Sequence, residues 1–457
     1  MSNDNARDNL VSGDIVKTML SLSIPAILGM VVIGLYNFMD AVFVGRMVGP
    51  EAMTAVKVSY PFTLLNSGIS TLIGTGSASL LSRAIGKKDQ ETVDKIMGNL
   101  IALVLVLSVI IMAVGLIFTK PLLMLSGAKG DILTEASRYL KVVFLGSLFV
   151  NFAQSSNMVM RGEGKLKKAM LIMGSGAILN ILLDPVLILA FGKENGILGA
   201  AVATISAQLF QAILALVYFT RKSDTVKINR IGIIGSVAKP VLSVGVSAML
   251  MQVMSMVQQT VMYNTVERCG GGEWQTILGA ALSLQAFSFI PLWGISQGYQ
   301  PAIGTNYGAK SYDRVRSFNK AFMIAATLLA AVFYVPVMIA PKAMLSMFIT
   351  DQSIVAAGAP MLRVLFASYI TYGVLILAIT FFQAIGKAGN AAVLTVLRQA
   401  LLFLPLVLIL PMMFTNSVEG VFYAQLITDV VVLVLAVALM AGAFKNIRRE
   451  ERLAPVL

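Results

Sequence analysis

The sequence has no histidine and only one cysteine, Cys269, among its 457 residues. A single thiol excludes an internal disulfide, and the shortage of both residue types argues against the metal centres and nucleophile–base pairs of enzymes. The side chain that most often exchanges protons near neutral pH is also missing. We therefore expect no enzymatic activity, no cofactor, and a carboxylate wherever the protein carries a proton internally.

Charged residues are scarce as well: 12% of the chain is charged and 57% is hydrophobic, with a mean hydropathy of +0.84. A soluble domain of this length has no means of burying so much apolar surface. The stretches 101–118, 324–340 and 430–443 are long enough to form most or all of a helix across a hydrocarbon core of about 30 Å. Alternating segments of about ten residues, typical of membrane barrels, are not seen. These features predict an all-α polytopic membrane protein.

Basic residues follow a topological pattern along the chain. Loops after even-numbered apolar segments are rich in them, for example Arg83, Lys88 and Lys168, whereas loops after odd-numbered segments hold few. Because positive residues gather in cytoplasmic loops, both termini are expected in the cytoplasm, with the protein in the inner (plasma) membrane of a prokaryotic cell. The same rule explains the net charge of +13 without nucleic acid. Twelve spans are predicted near 17–45, 53–81, 93–118, 133–158, 168–192, 196–220, 239–266, 275–305, 317–340, 354–385, 391–413 and 418–444.

The polar start of the chain lacks the order of a cleavable signal, so the first span is expected to remain in the mature protein.

The chain contains an internal repeat. A shift of about 222 residues aligns 76–88 (GSASLLSRAIGKK) with 298–310 (GYQPAIGTNYGAK), and a shift of about 224 places Gly162 opposite Gly386. Matches at nearly constant spacing indicate duplication.

Duplication predicts two lobes of six helices each. Residues 1–220 form the N-terminal lobe, 221–238 a cytoplasmic linker and 239–457 the C-terminal lobe. Because each lobe has an even number of spans, the two keep the same orientation and are expected to enclose a central cleft. The linker is either a simple tether or a segment that lies at the membrane interface.

Two acidic residues fall inside apolar segments of the N-terminal lobe, where an ionisable group costs at least about 2.5–3.5 kcal/mol and usually has a function. Asp40 follows Tyr36 and Asn37, which lie one helical turn earlier on the same face. Asp184 follows Asn180 by four residues, and Pro185 leaves a backbone carbonyl without its usual donor. Such oxygen groups suit a proton, a sodium ion or a cationic substrate. The alternative is that each aspartate is paired with a basic neighbour.

The C-terminal lobe differs. Asp429 has Arg398 and Arg363 in nearby spans, so a structural ion pair is the preferred interpretation there. Amides and thioethers of the seventh span, among them Gln252, Gln259 and Met256, either line the cleft or hold helices together.

Four motifs carry a resemblance to a known family: YNFMDAVFVGRMVG in the first span, RGEGKLKKAM after the fourth, LNILLDP in the fifth and PAIGTNYGAK after the eighth. Together they resemble the multidrug and toxic compound extrusion (MATE) family of the MOP superfamily, in its MepA-like and DinF-like branch. The resemblance covers almost the entire chain. It implies twelve helices in two pseudo-symmetric bundles, and export of organic compounds in exchange for H⁺ or Na⁺.

The resemblance also implies a coupling site in the N-terminal lobe. Matched motif by motif, its residues are Asp40, Asn180 and Asp184, with Thr204 as a hydroxyl partner and Asn157 as a weaker candidate. Sodium, if it is the coupling ion, would bind at the first four of these. The chain departs from the branch that has an acidic residue in the seventh span, because SMVQQTVMYN contains none.

The expected function is secondary active efflux of small organic, often cationic compounds, by a monomer in the lipid bilayer. Three alternatives remain open: a flippase for lipid-linked precursors, which should have a cationic cavity; an exporter of one endogenous metabolite; and a passive channel. ATP-driven pumping is disfavoured because no GxxxxGK[ST] loop occurs.

Overall fold

The computed structural model describes residues 8, 10–126 and 128–453, and this part of the chain is almost entirely helical, with no β-strand. Helices of the first half are α1 Ile15–Phe43, α2 Pro50–Lys87, α3 Gln90–Leu125, α4 Gly130–Leu145, α5 Ser147–Gly162, α6 Leu166–Phe191 and α7 Gly196–Val217. Helices of the second half are α8 Gly235–Gly308, α9 Tyr312–Ile339, α10 Pro341–Ser346, α11 Gln352–Phe366, α12 Tyr372–Ala384, α13 Ala388–Val396, α14 Phe403–Ile409 and α15 Ser417–Leu453. The π-helical turns Val44–Val48, Tyr218–Lys222 and Leu397–Leu401 extend α1, α7 and α13.

Within the described residues, nine helices are long and apolar enough to cross a membrane, or ten if α4 and α5, which meet at 55°, form one broken span. Helix α8 changes direction at Gly271, where φ is 72°, so its 74 residues comprise two spans. Helix α2 has the length of a span but is more polar. If α4 and α5 are counted as one broken span, α8 is divided and α2 is added, the described helices reach twelve; the count of twelve spans stays a prediction.

Helix α2 is polar because it lies inside the protein rather than against lipid. Its Asn66 accepts a hydrogen bond of 3.2 Å from Asn151 Nδ2, and its Ser70 carbonyl accepts one of 3.1 Å from the Ser155 hydroxyl. Both partners belong to α5. In a membrane, hydrogen bonds of this kind between helices hold the helices together.

The backbone repeats itself at a spacing of 222 residues. Positive φ angles occur at Gly49 and Gly271, at Lys88 and Lys310, and at Gly164 and Gly386. Because L-residues other than glycine seldom adopt such angles, three matching pairs are strong evidence for a structural repeat. The equivalent of Gly386 is therefore Gly164, and the sequence alignment of Gly386 with Gly162 was wrong by two residues.

The two halves pack tightly at one end of the helical bundle. This end, called the basic end here, contains the loops at 88–89, 163–165, 223–234 and 309–311. Glycines allow the backbones to touch there: a Cβ on Gly76 would lie 1.9 Å from the Val241 carbonyl oxygen, and one on Gly245 would lie 1.7 Å from that of Leu72. Arg83 Nη1 adds a hydrogen bond of 3.1 Å to the Ala384 carbonyl across the interface.

The segment between the halves lies against α3. The Ile234 amide donates to Asn99 Oδ1 at 3.1 Å, and the Arg230 carbonyl packs directly on Gly98. Regular helix begins at Gly235. The division into two lobes with a linker at 221–238 stays a prediction.

Candidate functional site

A cavity of about 560 Å³ lies between α1, α2, α4, α5, α6 and α7, with three side chains of α8 completing its wall. Its lining extends from Arg161 and Gln297, near the basic end, to Val44 and Lys57, near the opposite end. The tight packing of glycines closes the basic end. The volume is in the range of cavities that hold drug-sized molecules.

Asp184 lies behind the cavity wall and is fully buried. Asn180, one turn earlier on α6, lines the cavity and stands between Asp184 and Thr204 of α7: its Nδ2 is 3.4 Å from Asp184 Oδ1 and 3.5 Å from Thr204 Oγ1. Turning the amide by 180° improves both contacts, because Nδ2 then donates to Asp184 Oδ2 at 3.0 Å and the oxygen accepts from the Thr204 amide at 3.2 Å. The structure thus brings together three residues of the predicted coupling site.

Asp40 lines the same cavity from α1 and is partly buried. Tyr36, one turn earlier, also lines the cavity. Tyr139 of α4, which the sequence did not suggest, completes this group and is 8% exposed. The side chain of Asn37 lies outside the described part of the structure.

The structure offers oxygen atoms for the predicted sodium site but no cluster of acids. Among the described residues, no group of three or more His, Cys, Asp or Glu could hold a metal ion. Carboxylate, amide and hydroxyl oxygens of Asp184, Asn180 and Thr204 suit a monovalent hard cation, with Asp40 nearby. Sodium binding at these residues stays a prediction.

Other predicted residues lie elsewhere. Asn157 lines the cavity but does not contact the aspartates; its Nδ2 donates to the Ala169 carbonyl at 2.7 Å, and its oxygen accepts from Arg161. Gln252 lines the cavity. Met256 and the exposed Gln259 are not among the residues that line this cavity, and their cleft-lining role stays a prediction.

Arg161 lies beyond the fourth span predicted at 133–158, yet α5 continues to Gly162 and holds this guanidinium in the cavity wall. The cavity is therefore acidic at Asp40 and basic at Arg161. The one signal in the sequence was its position four residues after Asn157, which places both on one helical face.

The second half contains a buried ionic network with different chemistry. Arg398 Nε donates to Asp429 Oδ1 at 2.8 Å, and Asp429 Oδ2 accepts hydrogen bonds from Ser368, Tyr372 and Gln425 at 2.8–3.0 Å. Every oxygen of the carboxylate thus has a partner, as a structural ion pair requires. Arg363 does not take part; it donates to the carbonyls of Met338 and Ile339.

A bundle of spanning helices with a sealed end and a ligand-sized cavity defines a membrane transporter rather than an enzyme. The MatE family model matches residues 25–186 and 246–409, so the chain belongs to the MATE family. It is 26% identical over 422 residues to the multidrug export protein MepA of Staphylococcus aureus (strain N315), covering 91% of each chain. It is 27% identical over 429 residues to the MepA of Staphylococcus haemolyticus (strain JCSC1435), covering 92% of each.

Solved structures agree with this assignment. A crystal structure of a MATE protein in the bent conformation superposes with a TM-score of 0.91 at 25% identity, covering 97% of this chain and 98% of that one. An outward-facing multidrug resistance MATE transporter of the MOP superfamily gives 0.90 at 25% identity, covering 96% and 98%. The predicted family, the all-α fold and the non-enzymatic character are confirmed.

Proposed function

We propose that this protein is a secondary active antiporter that exports organic, often cationic compounds from the cytoplasm in exchange for H⁺ or Na⁺. The observation that carries the proposal is the pair Asp40 and Asp184 beside one cavity, with Asn180 of α6 positioned between Asp184 and Thr204 of α7. A carboxylate in a medium of low dielectric gains from neutralisation by a proton, a sodium ion or a cationic substrate. The ion that moves inward and the compound that is exported would thus compete for the same carboxylates.

The proposed cycle has two states. With its basic end in the cytoplasm, the structure corresponds to an outward-open state that releases substrate and takes up the coupling ion. One positive charge moving inward gains about 2.3 kcal/mol per 100 mV, and one proton gains about 1.36 kcal/mol per pH unit. Each contribution supports a ten- to fiftyfold concentration gradient of one substrate molecule.

Proteoliposomes containing a fluorescent organic cation test this proposal under an imposed pH gradient and, separately, an imposed sodium gradient. Asp40→Asn and Asp184→Asn should abolish gradient-driven transport, because an asparagine amide carries no negative charge and does not take up or release a proton near neutral pH. Asp131→Asn is the matched control, since Asp131 is an exposed residue in the first turn of α4. Undiminished transport by both cavity variants would refute the assignment, and a cation flux that follows only its own gradient would indicate a passive channel.

The flippase alternative has one observation in its favour, the guanidinium of Arg161 in the cavity wall. The acidic pair beside the same cavity counts against it, because a lipid-linked phosphate would meet two carboxylates. Scrambling of a fluorescent phospholipid in the same vesicles distinguishes the two functions.

A further inference from the structure

The segment between the two halves, residues 223–234, is called the connecting segment here, and it is packed against the protein. Val226 is fully buried, and both Val226 and Ile234 pack on a hydrophobic core that includes residues of α3. The backbone is fixed as well, because a Cβ on Gly98 of α3 would lie 2.0 Å from the Arg230 carbonyl oxygen. These contacts hold the connecting segment in one position on α3.

Two isoleucines of the connecting segment face away from that core. Ile231 and Ile233 are each 55% exposed. They flank Gly232, whose amide donates to the Gly98 carbonyl at 3.4 Å, so the backbone between them is turned toward α3. Large apolar side chains exposed side by side, outside the spanning helices, mark a surface that something apolar covers.

The location of the two isoleucines follows from α3. Leu105 lies two helical turns after Gly98 on the same face and is exposed, so the connecting segment lies on a lipid-facing side of this helix. At 1.5 Å per residue, Gly98 is about 17 Å from the midpoint of the apolar stretch 101–118, and half of a hydrocarbon core measures about 15 Å. Ile231 and Ile233 therefore lie where the acyl chains meet the headgroups.

Basic residues surround the two isoleucines. Asp224 is the only acid between positions 221 and 239, which also hold five basic residues. None of these five forms an ion pair within the described part of the chain. Their uncompensated charge complements anionic phospholipid headgroups. All five are exposed: Arg221, Lys222, Lys227, Arg230 and Lys239.

We propose that the connecting segment is a docking surface for anionic phospholipids, in which Ile231 and Ile233 enter the outer part of the acyl layer while Lys227 and Arg230 bind the headgroup phosphates. A soluble partner does not reach the lipid-facing side of α3 at this depth, whereas a phospholipid supplies an apolar chain and an anion together. The inference does not depend on which compound is exported or which ion drives the export.

Fluorescence quenching in nanodiscs tests the depth. Bimane is attached to Ile231→Cys or Ile233→Cys in a chain that carries Cys269→Ala, and the membrane contains phosphatidylcholine with a nitroxide on its acyl chain. Quenching should be at least about twofold stronger with the nitroxide near the headgroup than with the nitroxide near the chain end. Ile110→Cys, near the middle of α3, should show the opposite order. Asp224→Cys should be quenched by aqueous iodide instead.

Lipid selectivity tests the charge. With bimane at position 231, nitroxide-labelled phosphatidylglycerol should quench about fivefold more than equally labelled phosphatidylcholine, the ratio that about 1 kcal/mol from one basic residue produces. The double variant Lys227→Gln, Arg230→Gln should lower this ratio to less than about twofold, and high salt should do the same to the unaltered chain. The matched control is Lys120→Gln, Lys129→Gln, which removes two exposed charges at the other end of α3 and should leave the ratio unchanged.

Three results would overturn the proposal. Labels at Ile231 and Ile233 that iodide quenches as strongly as the label at Asp224 would place both side chains in water. Shallow quenching without a preference for phosphatidylglycerol would also overturn it, because apolar contact alone does not select a headgroup. A preference that persists in Lys227→Gln, Arg230→Gln would exclude these two residues as the headgroup site. Unchanged deep quenching at Ile110 shows that each variant is folded and inserted.

Discussion

Gly245 controls how closely the two halves approach at the basic end. In the structure a Cβ at this position would lie 1.7 Å from the carbonyl oxygen of Leu72 on α2, and the obstacle is backbone that has no rotamer to change. Ordinary contact distances are about 3.5–4.0 Å, so Gly245→Ala requires α2 and α8 to part by roughly 2 Å. Overpacking of this kind costs about 1–3 kcal/mol.

The expected result is a shift between conformations rather than general unfolding, because the added methyl group clashes only where the halves meet. A change of about 1–3 kcal/mol alters the ratio of two states by about 5- to 150-fold. Electron spin resonance can measure this with labels on Lys87→Cys and Lys387→Cys, two exposed positions on opposite sides of the closed end, in a chain without Cys269. Gly245→Ala should increase the population with long label–label distances.

Gly174→Ala provides the matched control. This glycine lies within α6 and a Cβ there would meet nothing within 4 Å, so the change should leave the distances unaltered and add up to about 1 kcal/mol of helix propensity. If both variants give the wild-type distance distribution while eluting as folded protein, then glycine packing does not determine closure, and the reasoning is refuted.

Two further predictions concern buried charges. Arg398→Met should lower the free energy of unfolding by about 3–5 kcal/mol, because Asp429 would stay buried without its cation. Thermal unfolding in detergent should show that the double variant Arg398→Met, Asp429→Asn is more stable than Arg398→Met alone. An equal loss of stability in the double and single variants would contradict the ion-pair interpretation. Burial raises the pKa of the Glu163 carboxyl, which lies in the loop after α5 and accepts a hydrogen bond of 2.7 Å from Tyr218. The folded state therefore binds this proton more tightly than the unfolded state, and stability should rise as the pH falls from neutral toward the usual value of about 4.3. Glu163→Gln should flatten that part of the pH profile, and an unchanged slope would exclude Glu163 as its source.

Much of the site could be predicted because a membrane makes charged residues conspicuous. Asp40 and Asp184 are acids inside apolar segments, and Asn180 lies one helical turn from Asp184; the structure puts Asn180 3.4 Å from that carboxylate. Thr204 could not be linked to them from spacing, because it belongs to another helix and was suggested only by family resemblance. Tyr139 gave no signal, since tyrosines are common in spans.

Hydrophobicity was a weak guide where helices pack on one another. Helix α2 fails as an apolar span because it contains polar side chains such as Asn66 and Ser70, which form hydrogen bonds with Asn151 and Gln154 of α5. Charge was equally ambiguous at Arg161, because a basic residue near a helix end reads as a loop residue until the length of the helix is known.

The amino-acid sequence by itself determined the class of protein and the duplicated plan, and it singled out the two principal carboxylates. So apolar a chain must lie in lipid, where helices satisfy the backbone hydrogen bonds internally. Each charge inside the membrane costs free energy, so the few acidic residues there stand out. The tertiary structure alone decided which end is closed, that Thr204 and Tyr139 line the same cavity as Asp40, and that Arg161 lies in the cavity wall with neutral hydrogen-bond partners. Those facts depend on contacts between helices that are far apart along the chain, and local sequence patterns carry no record of such distances.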